Sequence, residues 1–340
     1  MTIKTLFLSS AAALCAFSGA HAADAIVAAE PEPMEYVRVC DAFGTGYFYI
    51  PGTETCLKVG GQVRFEVGAG DAYTPNSDDG ITSLSRAEIT LDTASDTEYG
   101  ALKSSILTRW DWTDEAGTNM RLMQATISLG GFTVGLADSQ FQQYVGYLGD
   151  VANDDVINDG PDEQNQISYS YDAGNGFTGV VAVEDGDSGN YRPDVVAGLG
   201  YSTGILGFKV IGGYDAEVEE GAIKARLDAN VGSIKAWVMG GWNTDGDKLN
   251  KYAGSSFGGD AADIGWGDWA VWGGFGVNMT DTTAANLQLG YTDSKVFAAT
   301  ANVQWHVVPN LLIQPEVSYT NWDSIDEDQW AGLVRFQRTF

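Results

Sequence analysis

The chain has few basic residues and few histidines, and each shortage excludes a class of protein. Only 18 of its 340 residues are Lys or Arg, against 46 Asp and Glu, which gives a formal charge of −28. A chain this acidic repels phosphate over most of its surface, so a nucleic-acid partner is excluded. With two histidines, neither a general-base active site nor a zinc site has much support. We therefore expect no enzymatic activity, metal or cofactor.

Long hydrophobic runs are also missing. Beyond the first residues, the segment Trp269–Val277 is among the longest apolar runs, and it is far shorter than the ~18 residues that a membrane-spanning helix requires. A helical membrane protein is therefore excluded. The apolar content is nevertheless an ordinary 44%, which argues against disorder, and the chain contains 10 Trp, 15 Tyr and 14 Phe. Such an abundance of aromatic residues favours strands over helices.

The first residues have the pattern of an export signal. Lys4 precedes an apolar stretch from Leu6 to Phe17, and Ala20-His21-Ala22 has the small residues of a cleavage site. We predict that residues 1–22 are a signal peptide. Its removal leaves two cysteines, Cys40 and Cys56, and an even pair in an exported protein favours a disulfide over two free thiols.

From Leu57 to Phe340 the dominant pattern is strict alternation of apolar and polar residues. In the first segment, Val59, Val63 and Phe65 occupy odd positions, while Arg64 and Glu66 occupy even ones. This period of two places the two classes of side chain on opposite faces of a strand. Sixteen such segments can be counted, so the chain is predicted to be all-β.

Two architectures place sixteen such strands: a soluble sandwich, or an outer-membrane barrel whose apolar face contacts lipid. Aromatic residues near strand ends, such as Tyr171 and Trp242, are typical of the girdles at membrane interfaces. The chain also ends on Phe340, which closes an alternating strand. With the export signal, these features favour a 16-stranded antiparallel transmembrane β-barrel. The predicted division is 1–22 signal peptide, 23–55 N-terminal extension with the disulfide segment, and 56–340 barrel.

Two segments carry a resemblance to a known family. Residues 36–57 read YVRVCDAFGTGYFYIPGTETCL, and residues 165–177 read NQISYSYDAGNGF. The chain resembles the alphaproteobacterial general-diffusion porins over its whole length after the signal peptide. The resemblance implies a homotrimeric pore in the outer membrane that passes small hydrophilic solutes, with a third loop folded into the barrel. A terminal Phe, here Phe340, looks like the signal that the barrel-assembly machinery recognises.

The corresponding insertion here is Ser139–Gln164, and it contains no basic residue. We expect its acidic residues to form one side of a pore constriction: Asp150, Asp154, Asp155, Asp159, Asp162 and Glu163. The opposite side is predicted to be a wall of inward basic residues on the first four strands: Arg64, Arg86, Lys103, Arg109 and Arg121. Acid facing base sets a field across a wet passage and selects solutes by size, polarity and charge. Two other interpretations of the acids are solvated surface and an incomplete calcium loop.

Two alternatives to a general diffusion channel remain open. A channel specific for sugars would be lined with aromatic residues, for which Trp237, Trp269 and Phe275 are candidates. A structural or adhesive outer-membrane protein would carry long external loops, and Thr244–Asp268 is one such insertion. The expected partners are outer-membrane lipid, lipopolysaccharide and small hydrophilic solutes. The negative net charge predicts a weak preference for cations.

Overall fold

The computed structural model describes residues 37–75, 80–113, 116–186, 192–254 and 265–340. Within these ranges the chain forms one antiparallel sheet of seventeen strands and a short helix, α1. Their bounds are β1 Phe48–Tyr49, β2 Cys56–Ala69, β3 Ile81–Thr97, β4 Gly100–Thr113, β5 Gly117–Leu129, β6 Phe132–Asp138, α1 Gln140–Gln143, β7 Glu163–Asp172, β8 Phe177–Glu184, β9 Asp194–Ser202, β10 Leu206–Asp215, β11 Glu220–Val231, β12 Ile234–Asn243, β13 Trp269–Asn278, β14 Thr283–Thr292, β15 Val296–Val308, β16 Leu311–Trp322 and β17 Glu327–Thr339.

The sheet closes on itself. Strand β17 pairs antiparallel with β2, from Gly332↔Ala69 to Thr339↔Gln62. Strands β2–β17 therefore form a closed barrel of sixteen antiparallel strands, as the alternation predicted. Closure pairs every strand on both sides and leaves no open edge, which is the condition for a sheet to cross a membrane.

The two ends of the barrel differ in their connections. At one end, here called the turn end, the strands are joined by two to four residues. At the other, the loop end, four connections are longer, with 9 to 25 residues, and three of them are used below. We call residues 70–80 loop 1, residues 139–162 loop 3 and residues 244–268 loop 6. Loop 6 has the bounds that the sequence predicted, whereas loop 3 ends two residues earlier because β7 begins at Glu163.

The side chains are arranged inside out compared with a soluble protein. On β9, the outward residues Val195, Leu199 and Tyr201 are about half exposed, whereas Asp194 and Val196 are buried inside. The buried polar residues of β14–β16 likewise point inward, among them Asn302 and Thr320. A continuous apolar exterior around a polar interior suits a barrel surrounded by lipid.

One irregularity in the β4–β5 pair brings Arg121 to the inner face of the barrel. In the β4–β5 pair, Leu107↔Gln124 is followed by Thr108↔Leu122, which leaves Met123 without a partner. This bulge inverts the alternation of the earlier part of β5. Arg121 has an odd number, like the apolar Met123, yet its side chain lies beside that of the inward Arg109.

Of the helices that the structure describes, none combines the length and the apolar character needed to span a membrane.

Candidate functional site

Loop 3 enters the barrel interior along β8. Ser139 caps α1: its hydroxyl accepts a hydrogen bond from the Phe141 amide at 3.1 Å and donates one to Glu184 at 2.8 Å. The Gln140 amide also donates to Glu184, at 2.9 Å. Because Glu184 points inward from β8, these contacts direct the first turn of the loop into the lumen and not outward.

Basic side chains of the next strands hold the middle of the loop through its backbone. Lys209 on β10 donates to the Tyr144 carbonyl at 2.7 Å. Arg226 on β11 donates to the carbonyls of Gly146 at 3.2 Å and Tyr147 at 2.5 Å. The contacts place this part of loop 3 against the inner face of β10 and β11.

A buried ion pair fixes the later part of the loop. Lys224 Nζ on β11 lies 2.7 Å from Asp159 Oδ2, and both side chains are completely buried. The ammonium also donates to the Asp159 carbonyl and lies 4.5 Å from the centre of the Phe141 ring. Asp159 is therefore an anchor of the loop, and its carboxylate faces Lys224 instead of open lumen.

The tip of the loop lies against strands β14–β16. Glu316 accepts hydrogen bonds from the backbone amides of Ala152 at 2.6 Å and Asn153 at 2.8 Å. Asn302 donates to the Asp150 carbonyl at 2.8 Å. These carboxylate and amide side chains supply the partners that the irregular loop backbone needs away from water. We call the inner face of β10–β16 the polar wall.

Loop 6 packs on loop 3 from the loop end. Tyr252 is fully buried and donates to Glu184 at 3.0 Å, and buried Trp266 donates to the Asn158 carbonyl at 2.7 Å. Its Lys251 pairs with Asp194 on β9 at 2.8 Å. Loop 6 thus covers the loop-end side of loop 3 and holds it against the polar wall.

The other half of the barrel carries two rows of charged side chains across β17 and β2–β5, here called the charged wall. In one row Arg64 lies opposite Arg86, which lies opposite Asp111; in the next, Glu88 lies opposite Arg109, which lies opposite Arg121. The rows bring four of the five predicted basic residues together. Lys103 lies six residues from Arg109 towards the turn end, about 20 Å along the strand at ~3.3 Å per residue.

The arginines of the charged wall are paired with carboxylates. The distances are 2.6 Å for Arg86–Asp111, 2.5 Å for Arg109–Glu88 and 2.9 Å for Arg121–Glu163. Glu66 is shared, at 2.5 Å from Arg335 and 3.5 Å from Arg64. Glu163 is the first residue of β7 and a partner of the wall, so it is not part of loop 3 as the sequence had suggested. The wall is therefore a mixed ladder of charge and not a basic surface.

The remaining acids of loop 3 form no ion pair with a basic side chain among the described residues. Asp155 accepts a hydrogen bond from the Tyr73 hydroxyl of loop 1 at 2.7 Å. Burial, reinforced by the neighbouring Asp155, raises the pKa of Asp154 to about 8. Burial and the nearby Glu163 raise the pKa of Asp162 to about 6. Asp150 is exposed at the tip and uses its carbonyl to bind the polar wall.

Space remains between loop 3 and the charged wall. A cavity of about 370 Å³ is lined by Asn153 of loop 3, Tyr73 of loop 1 and Glu66, Thr82 and Leu333 of the wall. It lies at the loop end. Since loop 3 is packed on the polar wall, this space lies between the loop and the charged wall.

The strand residues that anchor loop 3 were not singled out by the sequence as parts of a site. Lys224 and Glu316 lie at inward positions of their strands, but their partners are 65 and 163 or more residues away in the sequence. A charged residue on the inner face of a strand is the available signal. It does not reveal whether that residue faces open water or a loop.

The two cysteines form the predicted disulfide. Cys40 and Cys56 are bonded, with their Cα atoms 6.1 Å apart, and both are buried. The bond ties the segment carrying β1 to the start of β2, beyond the point where β17 ends. Phe340 lies at this seam and exchanges two backbone hydrogen bonds with Gly61, at 3.0 and 3.1 Å. The predicted signal peptide falls on residues outside those that the structure describes.

Comparisons with known proteins agree with this architecture. The model of the porin subfamily matches residues 24–335. The porin Omp2b of Brucella canis is 42% identical over 373 aligned positions, and that of Brucella suis biovar 1 is 43% identical, each alignment covering all of both chains.

Two solved structures share the fold. The outer membrane channel DcaP of Acinetobacter baumannii has a TM-score of 0.67 at 16% identity, over 86% of this chain and 99% of that one. An anion-selective porin from Comamonas acidovorans has a TM-score of 0.62 at 14% identity, over 84% of this chain and all of that one. Membership of this family identifies a channel and rules out the adhesive or structural protein considered from the sequence. The chain belongs to the porin subfamily, and it is an outer-membrane channel for passive diffusion rather than an enzyme.

Proposed function

We propose that small hydrophilic solutes pass between loop 3 and the charged wall, and that this passage weakly prefers cations. The observation that carries the proposal is the asymmetric packing of loop 3. Its backbone is bound by Lys209, Arg226 and Glu316 of the polar wall, and the Asp159 carboxylate by Lys224. The charged wall is left to face the loop across the open part of the lumen.

The sign of the preference follows from how the charges are paired. The guanidinium groups of Arg86, Arg109 and Arg121 each have a carboxylate within 2.9 Å, so their fields largely cancel at the distance of a passing ion. The Asp150 and Asp155 carboxylates have no basic partner within the described residues. Their excess negative charge attracts cations, and the alternating charges of the wall orient polar solutes and their water.

The test is the reversal potential of the refolded protein in a planar bilayer under a salt gradient. Wild type should conduct and show a small potential of the sign given by cation preference. The substitution Asp155→Asn should shift that potential towards anions. Asp323→Asn is the matched control, because it removes the same charge from an exposed turn outside loop 3. Equal effects of the two variants would refute the proposed location, and an absence of conductance in the wild type would refute the channel.

The assembly of the protein is also part of the proposal. We expect a homotrimer embedded among outer-membrane lipid and lipopolysaccharide, as the family resemblance implies, and conductance should then appear in steps of three. We also expect cleavage after Ala22, which amino-terminal sequencing of the exported protein tests, followed by the extension of residues 23–55. Deletion of Phe340 should reduce insertion by the barrel-assembly machinery, whereas Thr339→Ser should not.

A further inference from the structure

An alcove lies beneath loop 3, on the side of the turn end. It has a volume of about 210 Å³ and lies between residues 147–151 of the loop and the polar wall. The wall contributes Asp228, Lys235, Trp237 and Gln288. One ordered water needs about 10–15 Å³ of such space. The alcove is therefore large enough for a small solute.

The alcove contains a buried hydrogen-bond acceptor for which the described part of the chain supplies no donor. Gln288 is 7% exposed, and its Nε2 donates to the Asp154 carbonyl at 2.6 Å. Its other amide atom, Oε1, is buried and has no partner among the described residues. The Nε2 bond fixes the orientation of the amide, so Oε1 cannot turn away to find a donor elsewhere. A buried carbonyl without a donor is unfavourable, and it marks a place where a donor from outside the protein would bind.

A free donor lies beside this acceptor. The Trp237 indole lies over Gly274: a Cβ atom built on that glycine would be 2.1 Å from Nε1. The Arg226 guanidinium lies 4.3 Å from the centre of the ring and holds it in place. No acceptor for the indole N–H is found in the part of the chain that the structure describes.

Gly149 of loop 3 lies between the Gln288 amide and the ring of Trp237. A Cβ on Gly149 would lie 2.5 Å from Gln288 Oε1 and 3.6 Å from Trp237 Cζ2. Gly149, Trp237 and Gln288 all line the alcove, and the close contact with Oε1 requires that residue 149 carry no side chain. An alanine there would place a methyl group directly against the Gln288 amide.

We propose that this alcove is a binding subsite for a neutral polyhydroxylated solute of monosaccharide size, such as a hexose. The inference rests on the proposed channel and adds a substrate class to it. A hydroxyl group is donor and acceptor at once, so adjacent hydroxyls of one molecule satisfy Gln288 Oε1 and Trp237 Nε1 together. The exposed Lys235 and the half-exposed Asp228 add polar contacts at the rim.

The two inner partners are uncharged, and this argues for a neutral ligand. An ammonium or carboxylate group placed against the amide and the indole would lose its hydration there, because the charged side chains of Asp228 and Lys235 lie at the rim and not at the inner end. A hydroxyl loses less, because neutral hydrogen bonds replace neutral ones. A free amino acid is therefore the disfavoured alternative.

The experiment measures single-channel current with increasing D-glucose on the side of the turn end. For the wild type we expect a reversible reduction of current that saturates with concentration. The variants Gly149→Ala and Trp237→Phe should each require about two- to tenfold more glucose for the same reduction, the effect of losing one neutral hydrogen bond. Gly240→Ala is the matched control, because a Cβ on this outward glycine meets nothing within 4 Å.

Two further solutes complete the test. The dimethyl ether of triethylene glycol accepts hydrogen bonds but donates none, so it should lower the current only in proportion to concentration. L-alanine should behave in the same way.

Each other outcome overturns the assignment. A normal ion current with no saturable effect of glucose means that the alcove holds only water. Saturation by L-alanine instead of glucose means that the ligand is zwitterionic. Unchanged glucose dependence in both alcove variants places any binding elsewhere. A failure of the channel proposal is distinct from all of these, since no ion current would then be seen.

Discussion

The polar wall and the charged wall belong to one sheet, but they differ in what covers them and in the side chains they carry. The polar wall is covered by loop 3 and presents mostly amides and hydroxyls, such as Asn302 and Thr320, which are buried. Several of its charged groups, among them Lys224 and Glu316, bind the loop directly. The charged wall is not covered in this way and carries arginines and carboxylates in rows. Charge is thus concentrated where water can solvate it, and neutral groups occupy the places where loop backbone must be satisfied.

The largest difference between the walls should appear on breaking the buried ion pair. Lys224→Met leaves the Asp159 carboxylate buried without its partner, which costs about 3–5 kcal/mol. We expect loop 3 to detach locally, raising conductance and current noise and lowering the temperature at which the folded barrel unfolds on a gel. The double variant with Asp159→Leu should recover part of the stability. Lys295→Met, at an exposed turn, is the control; if Lys224→Met matched it, the pair would not anchor the loop.

A smaller effect is expected from Glu316→Gln at the tip of loop 3. The carboxylate uses both oxygens to accept the amides of Ala152 and Asn153. The glutamine side chain has one acceptor oxygen, so one hydrogen bond to a charged group is lost, worth about 1.5–3 kcal/mol. The unfolding temperature of the barrel should fall by less than in Lys224→Met. Glu98→Gln, in a turn at the other end of the barrel, should leave the unfolding temperature unchanged. An equal decrease in this variant would contradict the role of Glu316.

The charged wall should respond in selectivity and hardly in stability. Arg121 is half exposed where it pairs with Glu163, so Arg121→Gln should cost less than about 1 kcal/mol. The substitution leaves the Glu163 carboxylate unpaired beside the passage, so the reversal potential should move towards cations. Arg192→Gln breaks an exposed pair with Glu219 outside the lumen and should leave the potential unchanged. A large loss of stability for Arg121→Gln would remove the distinction between the two walls.

The smallest predicted effect is a change of selectivity with pH. Because the pKa of Asp154 is raised to about 8 by burial, with additional repulsion from Asp155 and Asp159 and a smaller opposing effect of Arg335, its carboxyl is mostly neutral at pH 7. The pore therefore gains one negative charge as the pH rises through 8. Cation preference should increase between pH 7 and pH 9, and Asp154→Asn should abolish that increase. An equal change in the variant would assign the titration to another group.

The sequence predicted the barrel well because the strands repeat one local rule. Alternation in segments such as 57–67 requires only that one face of a strand meets lipid and the other water. The strand count, the inward position of Arg64 and the bounds of loop 6 all follow from it. The bulge at Met123 does not follow from alternation. It moves Arg121 to the opposite face from the one that its odd position indicates, and the alternating pattern contains no sign of it.

The site was less predictable because its contacts depend on register. Whether Arg86 faces Asp111, or Arg109 faces Glu88, is decided by how adjacent strands are aligned, and alternation does not specify that alignment. Asp159 was predicted to line the constriction with its acidic neighbours. Its role as an anchor depends on a lysine on another strand.

The anchoring of loop 3 also determines how readily the channel can evolve. Several of its contacts with the polar wall use backbone groups, including the carbonyls of Tyr144, Tyr147 and Asp150. Side chains at these positions can therefore change without removing those hydrogen bonds. A descendant of this chain can exchange the charges along its passage by a few substitutions while the loop keeps its path, so a new permeability need not come with a new fold.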